Sequence, residues 1–268
     1  DLVTGYLEKF PPKISELTFT NLFAWRHRYE FEHAEFKHHL IIRSKNKFYP
    51  PVGKEPEKII REIFEKNKKI KFVRIDEKTA HKLIDDFSVE EQRDMNDYVY
   101  EIKKLRELKG SDYEEKRNLI NQFEKNNPDV CALSKHTVEE FFHLQRRWCD
   151  IRNCQENEGL LSENRAIIQT LKNIDQLNIS GICIRVDNEI QGFAIGERLN
   201  DDTYVEHFEK GNTEYTGIYQ YLLREFAKFI PEKFRYLNRE QDLGIPGIRK
   251  AKKSYNPAYM VKKYLITE

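Results

Sequence analysis

GICIRVDNEIQGFAIGERL, residues 181–199, reads as two apolar strands around a two-residue turn. The turn is Asp187-Asn188, and Asn tolerates the left-handed backbone that a tight hairpin needs. Upstream, ENRAIIQTLKNI (163–174) has helical spacing. Downstream, TYVEHFEK (203–210) is a third strand, and GIYQYLLREFAKFI (217–230) is a helix. RYLNRE (235–240), IPGIRKAKKSY (245–255) and AYMVKKYLIT (258–267) follow as strand, helix and strand. The order is helix, three antiparallel strands, helix, strand, helix, strand. That order predicts an N-acetyltransferase-like core built on an open sheet.

The first half also alternates. HLIIRS (39–44) and KFYP (47–50) are short strands around Lys45-Asn46. EKIIREIFEKN sets Ile59, Ile60, Ile63 and Phe64 at helical spacing, KIKFVRID (69–76) is a strand, and TAHKLIDDF (79–87) is a short helix. Residues 97–126 read as an extended element and two helices broken at Lys109-Gly110-Ser111, with Ser111 and Glu114 spaced as a capping box. Residues 136–150 are amphipathic, with Val138, Phe141, Phe142, Gln145 and Trp148 near one face.

The bulk numbers exclude several classes. With 268 residues, 34% charged and 12% aromatic, the chain has the material for a full core. Its formal charge of +1 gives no whole-protein field towards nucleic acid or anionic lipid, so such binding needs a local patch. No apolar run approaches the ~20 residues of a membrane helix, and DLVTGYLEKF lacks a signal-peptide pattern. Cys131, Cys149, Cys154 and Cys183 form no C-x-x-C pair, which reads as reduced thiols and a cytoplasmic protein. There is no H-E-x-x-H, P-loop or G-x-G-x-x-G motif, so no metal and no dinucleotide fold are expected.

Chemistry concentrates where TYVEHFEK and RYLNRE lie side by side and splay apart. Strand alternation puts Val205, His207 and Glu209 on one face and Tyr204, Glu206 and Phe208 on the other. His207 and Glu209 read either as a general base at the gap or as a hydrogen-bonded structural pair. Asn238 shares a face with Tyr236 and Glu240, and either holds a donor backbone or satisfies a frayed edge. Asp242 is placed to cap the helix that starts near Ile245-Pro246. Gly244 and Gly247 allow an unusual backbone or a close approach. Ile248, Ala251 and Tyr255 are spaced to face a core, and Arg249, Lys252, Lys253 and Asn256 form a second stripe. From Arg239 to Lys263 there are seven basic residues and two acidic ones, Glu240 and Asp242. Phosphate is the natural partner of that patch, and a solvated helix face is the plain alternative.

Four blocks carry a resemblance: NREQDLGIPGIRKAKKSYNP, EHFEKGNTEYTGIYQYLLREFA, DYVYEIKKLRELKGSDYEEKRNLINQF and ISELTFTNLFAWR. Over about residues 13–265 the chain resembles an uncharacterised bacterial family related to the C-terminal catalytic domain of phosphatidylglycerol lysyltransferases. The resemblance implies an α+β protein of α/β alternation: two tandem N-acetyltransferase-like (GNAT) domains with mixed, mostly antiparallel sheets flanked by helices. Residues 1–155 would form the first and 156–268 the second, which would carry the site. It also implies aminoacyl transfer from aminoacyl-tRNA to an acceptor amine or hydroxyl, either a lipid headgroup or a small-molecule amine.

On this reading no cofactor is tightly bound. His207 or Glu209 takes the acceptor proton, Asn238 and backbone amides hold the carbonyl, and Tyr255 is a candidate general acid whose helical face says core. Lys116, Arg117, Arg249, Lys250, Lys252 and Lys253 supply phosphate contacts, and Glu209, Glu240 or Asp242 an acidic pocket for a cationic amino acid. Acetyl-CoA is the alternative donor. Its usual loop, Gln/Arg-x-x-Gly-x-Gly/Ala, is replaced by EKGNTEYTGIY, where Gly211 and Gly217 miss the spacing and Glu214 opposes phosphate. A catalytically silent binder of tRNA or a phospholipid headgroup is the third reading.

Overall fold

The structure, a computed structural model, describes residues 2–268. In chain order it runs α1 (Leu2–Lys9), α2 (Phe19–Tyr29), β1 (Glu32–Phe36), β2 (His39–Ser44), β3 (Lys47–Phe48), α3 (Pro56–Lys66), β4 (Lys71–Asp76), α4 (Glu77–His81) and β5 (Ser88–Glu91). Then come β6 (Asp97–Glu101), α5 (Ile102–Glu107), α6 (Glu114–Glu124), β7 (Asp129–Ala132), α7 (Val138–Ile151), α8 (Glu158–Lys172), β8 (Ser180–Val186), β9 (Glu189–Arg198) and β10 (Thr203–Gly211). The last elements are α9 (Ile218–Phe229), β11 (Tyr236–Asn238), α10 (Pro246–Lys253), β12 (Tyr259–Val261) and β13 (Lys263–Thr267).

Two compact units result, and they are not divided at residue 155. One holds the chain up to Val99 together with Glu240–Glu268; the other is Tyr100–Arg239. The reason lies in the last expected strand, which is two strands. β12 pairs antiparallel with β6, Met260 opposite Tyr98. β13 lies between β4 and β5, with Tyr264 opposite both Ile75 and Glu91. The C-terminal segment therefore completes the sheet that the N-terminal segment begins, in the order β1-β2-β3-β4-β13-β5.

The first unit packs its apolar side chains in two groups. Leu17, Leu22, Leu40, Ile42 and Val73 form one, and Ile60, Phe64, Phe72, Ile75 and Ile266 the other. A buried ionic cluster ties its ends together. The Lys263 ammonium lies 2.5 Å from Asp97 Oδ1 and 2.5 Å from Glu16 Oε2. Ser15 donates to the same Asp97 from its N–H and its hydroxyl, both at 3.0 Å. Arg74 approaches Glu16 Oε1 at 2.8 Å. The second lysine of an exposed-looking KK pair is thus a core residue, because two other segments bring it Glu16 and Asp97 as acidic partners.

The second unit holds the hairpin. Asp187 and Asn188 have φ of 52° and 65°, as a tight hairpin turn requires. Its five strands run β11-β10-β9-β8-β7, antiparallel except β10–β11. Phe226 of α9 meets Tyr204 of β10, and Phe141 of α7 meets Phe193 of β9 edge-on at 5.0 Å. At Gly217, where φ is 91°, a Cβ would lie 2.0 Å from the Leu119 carbonyl oxygen. That glycine is required by the approach of α6 to the start of α9.

Two local expectations are corrected. Ser111 does not cap α6, whose N-cap position is Tyr113 and carries no side-chain cap, because a short turn at Ser111–Tyr113 intervenes. The cysteines are not reduced thiols. Cys131 and Cys183 face one another across β7 and β8 with Cα atoms 5.1 Å apart, and Cys149 pairs with Cys154 at 5.0 Å. Both separations lie in the range that disulfides need.

Candidate functional site

β10 and β11 are parallel and pair over three residues only, ending at Val205 opposite Asn238. β10 runs on to Gly211 beside β9, so the expected gap opens beyond Val205. There the register of β10 against β9 shifts: Glu206 opposes Gly196 and Phe208 opposes Ile195, leaving His207 as the extra residue of a bulge. This corrects the face assignment. Strict alternation separates Glu206 from Glu209; the bulge brings both to one guanidinium. Arg239, the residue after β11, donates from Nε to Glu206 and from Nη2 to Glu209 Oε2 at 2.6 Å. Burial opposes the charge on Arg239, and the two carboxylates more than offset it, raising its pKa above the ordinary arginine value. Glu206 Oε1 is buried without a hydrogen-bond partner among the described residues.

His207 stands in the same bulge. Its side chain is 2% exposed, and Nε2 lies 2.8 Å from Glu197 Oε1 on β9. Asn238 is fully buried in the last β10–β11 pair. Tyr255 is buried just past α10, in the first unit, as its spacing predicts.

Asp242 is not a helix cap. The residue before α10 is Ile245, which makes no side-chain cap. Asp242 is instead a fully buried hub. It accepts from Tyr98 Oη at 2.6 Å, from Arg249 Nε and Nη2 at 2.9 Å each, and from the Gly244 N–H at 2.9 Å. Arg93 Nη1 is 3.3 Å away. Burial acts to raise its pKa, but the hydrogen bonds from Arg249, Tyr98 and Gly244 prevail and hold it well below the carboxylate range. Glu240 accepts from Asn21 Nδ2 at 3.2 Å. Asp242 is fully buried, whereas Glu240 is half-buried.

The basic residues also sort unevenly. Arg249 is tied to Asp242 and, at 2.5 Å, to Asp94. Lys252 donates to the Gln241 carbonyl at 2.6 Å. Lys116 is buried, and Arg117 donates to the Leu108 and Gly110 carbonyls at 2.6 and 2.7 Å. Lys250 and Lys253 remain exposed. Sequence reasoning missed the pairing of Glu206 with Arg239 and of Glu197 with His207. The available signal was three polar residues, Glu206, His207 and Glu209, in a strand otherwise largely apolar.

The loop after β10 is tied to itself and to β9 and α7. Asn212 Oδ1 accepts from the Glu214 N–H at 3.1 Å, Asn212 Nδ2 donates to Gln191 Oε1 at 3.0 Å, and Arg147 reaches Glu214 at 3.4 Å.

The model of the family described as "Phosphatidylglycerol lysyltransferase, C-terminal" matches residues 7–267. The chain belongs to that family. Within its fold, a conserved protein of unknown function from Bacteroides thetaiotaomicron VPI-5482 is 31% identical, with a TM-score of 0.91 over 99% of this chain and 95% of that one. L-PGS from Bacillus licheniformis is 13% identical with a TM-score of 0.70, over 100% of this chain and 91% of that one. The lysyltransferase C-terminal family thus brings the tandem GNAT-like fold that the resemblance implied. An uncharacterised protein of Mycoplasmoides gallisepticum is 26% identical over 175 residues, 63% of this chain and 55% of that protein. The chain spans about half the length of that curated relative. Among the described residues, no helix is long and apolar enough to cross a membrane.

Proposed function

We propose that the protein is an aminoacyltransferase that takes an amino acid from aminoacyl-tRNA and passes it to an acceptor amine or hydroxyl. One observation carries this reading: the opening between β10 and β11 holds two carboxylates and one guanidinium, Glu206, Glu209 and Arg239. Together they leave one net negative charge in a buried place, with Glu206 Oε1 unpartnered among the described residues. A low-dielectric site of that sign favours an ammonium group. An aminoacyl ester carries one and an acetyl thioester does not.

In the proposed step the acceptor N–H or O–H attacks the ester carbonyl. The new C–N or C–O bond forms, the ester bond breaks, and the leaving tRNA hydroxyl takes a proton. His207, its ring fixed by Glu197, receives the acceptor proton. Lys250 and Lys253 are the members of the basic stripe left for phosphate contact. The 211–217 loop argues against acetyl-CoA as donor, since it places Glu214 where a pyrophosphate would sit and ties the Glu214 and Tyr215 N–H groups to Asn212.

The test is competition binding of the purified chain to charged tRNA, uncharged tRNA and acetyl-CoA at one salt concentration. Charged tRNA is expected to win, by a margin that Glu206→Gln removes. Binding of acetyl-CoA with indifference to tRNA would sink the proposal.

A further inference from the structure

We infer that the cleft at the C-terminal end of α7 takes the side chain of the transferred amino acid, and that this side chain carries a carboxylate. The inference rests on the donor reading given above and adds which class of amino acid is moved.

The cleft is open and encloses about 230 Å3. Leu144, Trp148 and Ile151 give it an apolar wall, and Arg147 and Arg152 flank them. Asn212 and Thr213, just past β10, also line it. Helical spacing explains the wall, since residues four and seven positions after Leu144 share its face of α7. Leu144 is buried and Ile151 is 53% exposed, so this face runs from the core out to water. The Cys149–Cys154 link closes a loop that contains Ile151 and Arg152, and Asn153 turns the chain there at φ of 49°. The outer end of the cleft is therefore held covalently, which lowers the ordering cost of binding.

Charge identifies the ligand. Arg147 stands 3.4 Å from Glu214. Arg152 lies 5.8 Å from the Trp148 ring centre and has no carboxylate partner among the described residues. These two guanidiniums and one carboxylate leave one net positive charge. Lys210, 3.8 Å from the same ring, is matched by Glu163 at 2.8 Å and does not alter that balance. The opening between β10 and β11 has the reverse sign, one net negative charge on Glu206, Glu209 and Arg239. Tyr219, the second residue of α9, links the two places. Its hydroxyl donates to the Gly211 carbonyl at 3.2 Å and lies in the field of both Glu209 and Arg152. A ligand with an ammonium group, a short apolar stem and a terminal carboxylate matches both charges and the wall between them. An acidic aminoacyl group has that form. Lysine, the amino acid in the description of the family, would bring a second ammonium group to Arg147 and Arg152 and be repelled. A purely apolar side chain would fit the wall and leave Arg152 unanswered.

The experiment is calorimetric titration of the full chain with three amides: L-glutamic acid α-amide, L-leucinamide and L-lysinamide. Each keeps the ammonium and carbonyl of an aminoacyl ester and lacks the tRNA. The glutamic acid amide is expected to bind tightest and lysinamide weakest. Arg152→Gln is expected to weaken the glutamic acid amide about tenfold, the scale of a lost hydrogen bond to a charged group. It is expected to leave leucinamide unchanged, and Arg152→Lys is expected to restore part of the loss. Glu206→Gln is expected to weaken all three amides alike, because all three carry the ammonium group. Arg152 is exposed, and an unchanged melting curve confirms that its variants fold. Lysinamide binding tightest would overturn the assignment of the cleft, as would an Arg152→Gln effect equal on all three amides. In either case a uniform loss with Glu206→Gln would leave the donor reading standing. Binding indifferent to Glu206→Gln, or no binding of any amide, would overturn the donor reading and this inference with it.

Discussion

Arg239 and Glu209 meet at 2.6 Å, Nη2 to Oε2, just beyond the point where β10 and β11 cease to pair. The same guanidinium holds Glu206, three residues earlier on β10. An arginine fork is the side chain suited to bridging two carboxylates that a bulge has turned to one side. The gap is therefore lined by a rigid, charged group.

Removing Arg239 leaves two carboxylates buried together. Arg239→Met is expected to destabilise the protein by about 3–5 kcal/mol, as breaking a buried ion pair does. Urea denaturation at neutral pH reads this directly. Glu206→Gln keeps a hydrogen-bond acceptor for Arg239 and is expected to cost far less, so a loss of donor binding in that variant separates function from folding.

The first unit has a similar pin. Lys263→Met is expected to cost about 3–5 kcal/mol, because Asp97 and Glu16 lose their shared cation in a dry place. Hydrogen exchange is expected to speed up in β4, β5 and β13, which Lys263 anchors. Protection of those strands at wild-type level would show that the cluster does not hold the C-terminal segment.

Acid stability is expected to depend on Asp242. Its folded pKa is depressed, so it contributes stability above the unfolded carboxylate value, roughly 4. That contribution is lost as pH falls from there towards the depressed folded value. Asp242→Asn is expected to lower stability at neutral pH by about 1.5–3 kcal/mol, the worth of hydrogen bonds to a charged group. It is also expected to flatten the fall in urea midpoint below that pH. An unchanged acid limb in the variant would assign the pH dependence to other carboxylates.

The two cystine links differ in the loops they close. Cys131–Cys183 spans 52 residues and Cys149–Cys154 spans 5. Chain-entropy estimates give roughly 4 kcal/mol for the first and roughly 2 for the second. Cys131→Ser is expected to lower the thermal midpoint more than Cys154→Ser, and the unreduced, unfolded chain is expected to release no thiol to a chromogenic disulfide reagent.

The sequence by itself determined the elements. Apolar periodicity placed the 181–199 hairpin, its turn, the helices around it and the alternation of the first half, because these depend on residues close along the chain. The resemblance of four blocks added the tandem fold. The tertiary structure decided what periodicity does not encode. Which strand β13 joins depends on partners as distant as Ile75 and Glu91, so the boundary at residue 155 gave way to a unit built from both chain ends. One inserted residue at His207 turned Glu209 to the side of Glu206, and alternation has no term for a bulge. Asp242 lies four residues before Pro246, too early to cap α10, and the arrival of Tyr98 and Arg93 from another segment made it a hub. Local spacing fixes which residues share an element; long-range contact fixes which of their charges are buried, paired or left facing water.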